Sequence, residues 1–208
     1  MSNTTTTHGR QRLIDAALNL SYHRRSFSSL GIREITREAG LSAPAFYRHF
    51  EDLADLGTAV ILEVEKAVIE AFTEVRIRTA QEADLDIRPM LVKRFFDWAV
   101  DNPKPVVVGA SEAFGSLERM REGLKKTIRA ISLDICSDPR ISRLLPGLPK
   151  DEMIEVLEVL AQNILFMAVD YIEHPDQRDA LFEKALRIVA VIFAGAHAVH
   201  AMQEEQQT

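Results

Sequence analysis

With 208 residues, 47% of them hydrophobic and 27% charged, the chain has the make-up of a folded globular protein, which excludes a disordered or fibrous one. The formal net charge of −6 hides an asymmetry: residues 8–50 hold seven arginines against Asp15, Glu34 and Glu38, and the rest holds 18 basic against 28 acidic residues. A basic head on an acidic body suits a protein that meets a polyanion at one end only, although a highly charged surface also shows such imbalance by chance.

Met1 to His8 is Thr-rich and lacks the basic start, apolar stretch and cleavage site of a secretory signal, so a loose tail and a cytoplasmic chain are expected. Leu13, Ala16, Ala17 and Leu20 recur at threes and fours from Gly9 to His23 and predict a short amphipathic helix. Arg24 to Leu30 is basic and Ser-rich, a loop anchored by Phe27 and Leu30. A second helix follows, with Gly31 as N-cap, Glu34 at its third position and Ile32, Ile35 and Ala39 as its buried stripe. Gly40 ends it in the left-handed conformation that glycine adopts without penalty. Leu41 plugs the turn and Ser42 caps a third helix, which tolerates Pro44 in its first turn and runs to about Phe50. Three helices in some forty residues, the last two joined around a glycine, match the helix-turn-helix unit. Phe46 and Phe50 face inward, which leaves Ser42, Ala43, Pro44, Ala45, Tyr47, Arg48 and His49 on the outer side.

A fourth helix from Asp52 carries Leu53, Leu56, Val60, Val64, Ala67 and Ala71. Beyond it the pattern stays helical, with breaks at 81–87, at Pro103 with Pro105, at Pro139, at 146–149 and at Pro175. Helices are expected over Arg88–Asn102, Ser116–Ser137, Lys150–Glu173 and Asp176–Gln203, and no region alternates as a strand would, so the fold class is all-α. Cys136 excludes an internal disulfide and suits a small buried hydrophobe better than a redox sensor. Met153, Leu157, Leu160, Ile164, Met167 and Tyr171 form a strict four-three stripe, and the last helix is apolar around much of its circumference. These two helices need a partner surface, either a second copy or the core of one chain; Leu157, Leu160, Ile164, Ile188 and Ile192 are the candidate dimer contacts. The longest apolar run, Ile188–Ala196, is about half of what a membrane-spanning helix needs.

Ile35 to Phe50, reading ITREAGLSAPAFYRHF, resembles the signature of the TetR family of bacterial regulators, through the Ala39-Gly40 turn, the Phe46-Tyr47 pair and the closing Phe50. The resemblance implies an N-terminal helix-turn-helix domain over 9–51, then a helical ligand-binding and dimerisation domain over 52–208, with repression as the default. In that family the final two helices usually build a dimeric four-helix bundle. The Ser26–Leu30 approach, the FYRHF run, FEDLADLG over 50–57 and the Asp101-Asn102-Pro103 turn resemble the FabR/DesT branch, whose members repress unsaturated fatty acid synthesis and sense acyl chains. The lysine frequent at the start of the family's fourth helix is absent from Glu51–Asp55, which leaves one phosphate contact without its residue, although acidic side chains suit the helix dipole there.

Groove chemistry assigns the roles. Ser42 at a helix N-terminus suits a phosphate, and Tyr47 and His49 suit the backbone on either side of the docked helix. Ala43, Pro44 and Ala45 allow close approach and contact with thymine methyls, Arg48 suits either a guanine or a phosphate, and Arg33 a phosphate. One head reads only a few base pairs, so a homodimer on a palindromic operator in double-stranded DNA is expected. Phe95, Phe96, Trp98, Val107, Phe114, Phe166 and Met167 are candidates for a pocket taking a small apolar effector such as an acyl chain or acyl-CoA, or else plain core. Phosphate-loop, dinucleotide, nucleophile-elbow and metalloprotease motifs are absent, so neither an enzyme nor a cofactor is expected. His197 and His200, with His174 upstream, are a weak metal pattern, and no metal is expected. The rival function is a helical small-molecule-binding or interaction protein without DNA binding.

Overall fold

The structure, a computed structural model, describes residues 2–82, 84–144 and 147–206. Its elements are α1 (Ser2–Arg24), α2 (Ile32–Glu38), α3 (Ala43–Phe46), α4 (Leu53–Arg78), α5 (Arg88–Asp101), α6 (Pro103–Glu112), α7 (Glu118–Cys136), α8 (Pro139–Leu144), α9 (Lys150–Glu173), a 3-10 turn at Pro175–Gln177 and α10 (Arg178–Gln206). Among the described residues there is no strand, and the fold is all-α as expected. Met1 of the expected tail, Ala83 and Pro146 of the expected breaks, and the last two residues lie outside the described residues.

Three expectations are corrected. The backbone of the Thr-rich start is helical from Ser2, since no proline interrupts it and adding residues to an existing helix costs little. The third helix is only four residues long: ψ opens to −7° at Tyr47, and the His49 amide bonds to Phe46 O, three residues back. Pro103 and Pro139 start helices α6 and α8 instead of marking plain breaks, because proline at a first helical position lacks only an amide that would have no partner there.

The helices gather into two compact units. The first joins Met1–Glu65 with Asn102–Thr127. Its core contains Leu13, Ile14, Phe27, Ile35, Phe46 and Leu56, all with no exposed surface, and each such side chain stabilises by about 1.5–3 kcal/mol. Val108 of α6 and Met120 of α7 join this core, so α6 and the first part of α7 pack with the head and not with the body that the 51/52 boundary assigned them to. Gly40 has φ +61°, the left-handed backbone that turns α2 into α3, and its carbonyl accepts a hydrogen bond from Arg12 Nη2 at 3.2 Å.

The second unit joins Lys66–Asp101 with Ile128–Thr208. In it α9 packs on α5 and α10, and the stripe Met153, Leu157, Leu160, Ile164, Met167 and Tyr171 is buried within one chain. Phe96 and Tyr171 bring their rings to 4.4 Å between centroids. Arg140 is a buried cation fully engaged: Nε and Nη2 donate to the Asp138 carboxylate at 3.0 and 2.8 Å, and Nη1 donates to Thr79 O and Oγ1 at 2.8 and 2.7 Å. Those bonds hold the Asp138 carboxyl below its ordinary range. Cys136 is buried with its sulfur 3.6 Å from Met153 Sδ, and burial pushes its thiol up, which fits a hydrophobe and not a reactive thiolate.

Candidate nucleic-acid interface

The site is a tip built on a very short helix. A helix of four residues has no stability of its own in water, so α3 is held by tertiary contacts. Phe46 and Phe50 supply them from the core, with ring centroids 5.8 Å apart. Ahead of α3, Gly40 reverses the chain and Ser42 takes the extended N-cap backbone, φ −88° and ψ 156°. The Ser42 side chain makes no capping bond and stays exposed. Tyr47 is 61% exposed, its ring edge-on to Phe46 at 5.4 Å, so the buried phenylalanine orients the exposed phenol. Arg33, Pro44 and Arg48 are exposed as well, and Ala43 is half-buried.

Besides Ala43, two more of the expected outer residues are placed otherwise. Ala45 is 3% exposed and shares the inward side with Phe46, not the outer side expected for it. His49 is half-buried, with Nε2 2.8 Å from where a Cβ on Gly9 would stand, so its ring lies against the backbone of α1. Burial, then the charges of Arg48 and Arg10, hold this ring below the ordinary histidine value, and it is neutral near pH 7 in the free protein. The charge on Arg10 beside His49 is a feature that the sequence pattern missed, since nothing local says that the start of α1 meets the end of α3. Arg10 also lies over the Phe50 ring at 5.3 Å and pairs with Glu63 at 3.2 Å. The acidic residues after the tip serve the next helix: Asp52 Oδ1 accepts the Asp55 amide at 2.7 Å, and Asp55 Oδ2 accepts the Glu51 amide at 3.0 Å.

The other two candidate sets are not gathered as expected. Val107 and Phe114 belong to the first unit, and Phe95, Phe96, Trp98, Phe166 and Met167 to the second. Phe114 is 85% exposed and Phe166 also shows at the surface, so neither walls an enclosed site, while Val107 is buried in packing. Phe95 stacks on Trp98 at 6.0 Å and tilts against Phe72 at 6.1 Å. A groove of about 650 Å³ lies in the first unit between α4 and α7, lined by Ile61 and Leu62 together with charged residues such as Asp55, Glu65, Glu118 and Lys126, and none of the candidate pocket residues lines it.

Of the dimer candidates, Leu157, Leu160 and Ile164 are buried inside one chain and cannot meet a second copy; Ile188 and Ile192 are half-buried. The stripe marks the face that α9 turns to α5 and α10. The opposite faces are the exposed ones: Val159 and Phe166 on α9, and Val191 (70% exposed), Val199 and Met202 on α10. Their spacing, seven residues on α9 and eight then three on α10, was a signal available in the sequence. The stretch Pro175–Gln203 is long and apolar enough, by length and composition, to cross a membrane, and only 17% of its most apolar window is buried.

Residues 13–60 match the family described as bacterial regulatory proteins, tetR family. The fold is similar to that of a Shewanella sp. PV-4 protein assigned to the tetR family of transcription regulators, at 16% identity and a TM-score of 0.67, over 90% of this chain and 97% of that one. It is similar to FadR from Bacillus halodurans, a fatty acid degradation regulator, at 13% identity and a TM-score of 0.65, over 90% and 95%. A tetR-family transcriptional regulator from Streptomyces coelicolor gives 20% identity and a TM-score of 0.61, over 95% and 84%.

Proposed function

We propose that the chain, whose residues 13–60 match the tetR family of bacterial regulatory proteins, is a dimeric transcriptional regulator of that family that places Ser42–His49 in the DNA major groove. It is a DNA-binding protein and not an enzyme. The observation that carries the groove assignment is the pairing of a 61% exposed Tyr47 and an exposed Arg48 with Phe46 and Phe50 buried directly behind them. Exposed phenol and guanidinium groups on a rigid support suit phosphate and base edges, which need donors held in register. Arg33 and the half-buried His49 flank them.

Two copies joined through the exposed faces of α9 and α10 would set two tips on one duplex. An apolar surface of this kind on a helix favours a second copy, since an isologous contact matches Val191, Val199 and Met202 with themselves. The effector is a small apolar molecule of acyl type. The FabR/DesT resemblance and the fold shared with a fatty acid degradation regulator support that reading. Mass spectrometry of small molecules retained by the purified protein tests it: an acyl species is expected, and a polar metabolite contradicts it.

An electrophoretic shift of mixed duplex fragments over a range of salt tests DNA binding. The logarithm of the affinity is expected to fall linearly with the logarithm of salt concentration as phosphate counterions are released. Tyr47→Ala and Arg48→Ala should weaken binding while leaving the fold intact. Unchanged affinity in both variants would refute the assignment of the tip.

A further inference from the structure

Glu112 ends α6 as a carboxylate with 2% of its surface exposed inside the first unit. Its Oε1 accepts the backbone amide of Phe27 at 2.7 Å, 85 residues earlier in the chain. Its Oε2 has no hydrogen-bond partner among the described residues. Burying a carboxylate oxygen without a partner is costly, and an apolar side chain would fill the same space without that cost. The chain is nevertheless shaped around this group, since a Cβ at Gly115 would overlap Oε2. What the carboxylate does is hold Phe27, itself fully buried, in the loop that leads from α1 into α2. The other end of α6 is tied to the same helices: Lys104 Nζ donates to Asn19 Oδ1 at 2.9 Å, and Asn19 Nδ2 donates to Glu38 Oε1 of α2 at 2.9 Å. Between the two ends, Val106, Val107 and Val108 are buried as α6 packs on α1.

We propose that Glu112 is a positioning residue for DNA recognition, which fixes the loop at Phe27 and thereby the path along which α2 and α3 leave α1. The proposal rests on the assignment of α2 and α3 as the DNA reader. Exposed polar links such as Lys104 to Asn19 are weak, whereas a buried hydrogen bond to a charged acceptor is not easily exchanged for water, so Glu112 is the stronger of the two ties.

The test uses the full chain and a duplex that the unaltered protein enriches from a random-sequence pool. Glu112→Gln keeps an oxygen for the Phe27 amide, and Glu112→Leu fills the space without one. The Leu variant is expected to bind the enriched duplex on the order of tenfold more weakly, with unchanged affinity for unselected duplex, which phosphate charge governs. The Gln variant should bind both as the unaltered protein does. A Leu variant that keeps the unaltered ratio of selected to unselected binding overturns the proposal. Hydrogen exchange supplies a second measurement should the Leu variant fail to fold: in the unaltered protein the Phe27 amide must exchange as slowly as amides inside α1, and exchange at the rate of an open loop overturns the proposal by itself. An unaltered protein that enriches no duplex sinks the DNA-binding assignment and this proposal with it; an enriched duplex with an unmoved Leu variant sinks this proposal alone.

Discussion

The tip at Ser42–His49 and the outer face of α10 both expose side chains, but in opposite chemistries. At the tip the exposed groups are a phenol and guanidinium ions, Tyr47, Arg48 and Arg33. On α10 they are Val191, Val199 and Met202. A surface of donors and cations is at home in water and gains by meeting phosphate, whereas exposed apolar side chains on one helix gain by meeting another apolar surface. The supports differ too. A four-residue α3 owes its existence to Phe46 and Phe50 in the core, while the 29 residues of α10 satisfy their own backbone and owe the rest of the chain only one buried face. The tip is therefore placed by its surroundings, and the α10 face is a ready-made helix surface awaiting a partner.

The comparison breaks most visibly if that partner is removed. Val191→Asp with Val199→Asp is expected to leave a monomer in sedimentation experiments at micromolar concentration and to weaken DNA binding by about a hundredfold or more, because two tips no longer act together. Persistence of a dimer would place the interface elsewhere. Next in size, Asp138→Ala strands the buried charge of Arg140 and should cost the second unit about 3–5 kcal/mol in urea unfolding, with the salt dependence of DNA binding unaltered. Tyr47→Ala makes the converse separation, roughly tenfold weaker DNA binding with an unchanged melting temperature, since the side chain is largely in water.

The smallest effect sharpens the account of His49. Its folded value lies below the ordinary histidine value of about 6.5, so the unfolded chain takes up the proton first as pH falls. Its contribution to stability is present above pH 6.5 and is lost as pH drops through the lowered value. DNA phosphate pulls the other way by favouring the charged ring, so affinity should rise from pH 8 to pH 6 in the unaltered protein more than in His49→Gln. Parallel titrations of the two proteins would remove His49 from the interface.

What could be read in the sequence was whatever is set by neighbours along the chain. The turn at Gly40, the N-cap backbone positions of Gly31 and Ser42, and the inward Phe46 and Phe50 depend on a few adjacent residues, although Ser42 makes no side-chain capping bond, and α9 spans Lys150–Glu173 as its stripe predicts. Ala45 was misplaced because a helical face was extrapolated over a helix that ends after one turn. Leu157, Leu160 and Ile164 differ from expectation for a related reason: their periodicity shows which face of α9 is buried, but not whether the same chain or a second one buries it, while the half-buried Ile188 and Ile192 stay candidates. Pro103 and Pro139 open helices where breaks are expected, because a helix end and a helix start carry the same residue. The membership of α6 in the head, and with it the grip of Glu112 on Phe27, spans 85 residues and leaves no local mark.

On the proposed reading, two copies of one exposed tip read one duplex. Sequencing the duplexes that the full-length protein enriches from a random pool tests this most directly. The account predicts inverted half-sites whose centres lie about one or two helical turns apart, and their loss with Tyr47→Ala. Enrichment of a single, non-palindromic element, or of nothing beyond what phosphate charge retains, would contradict it.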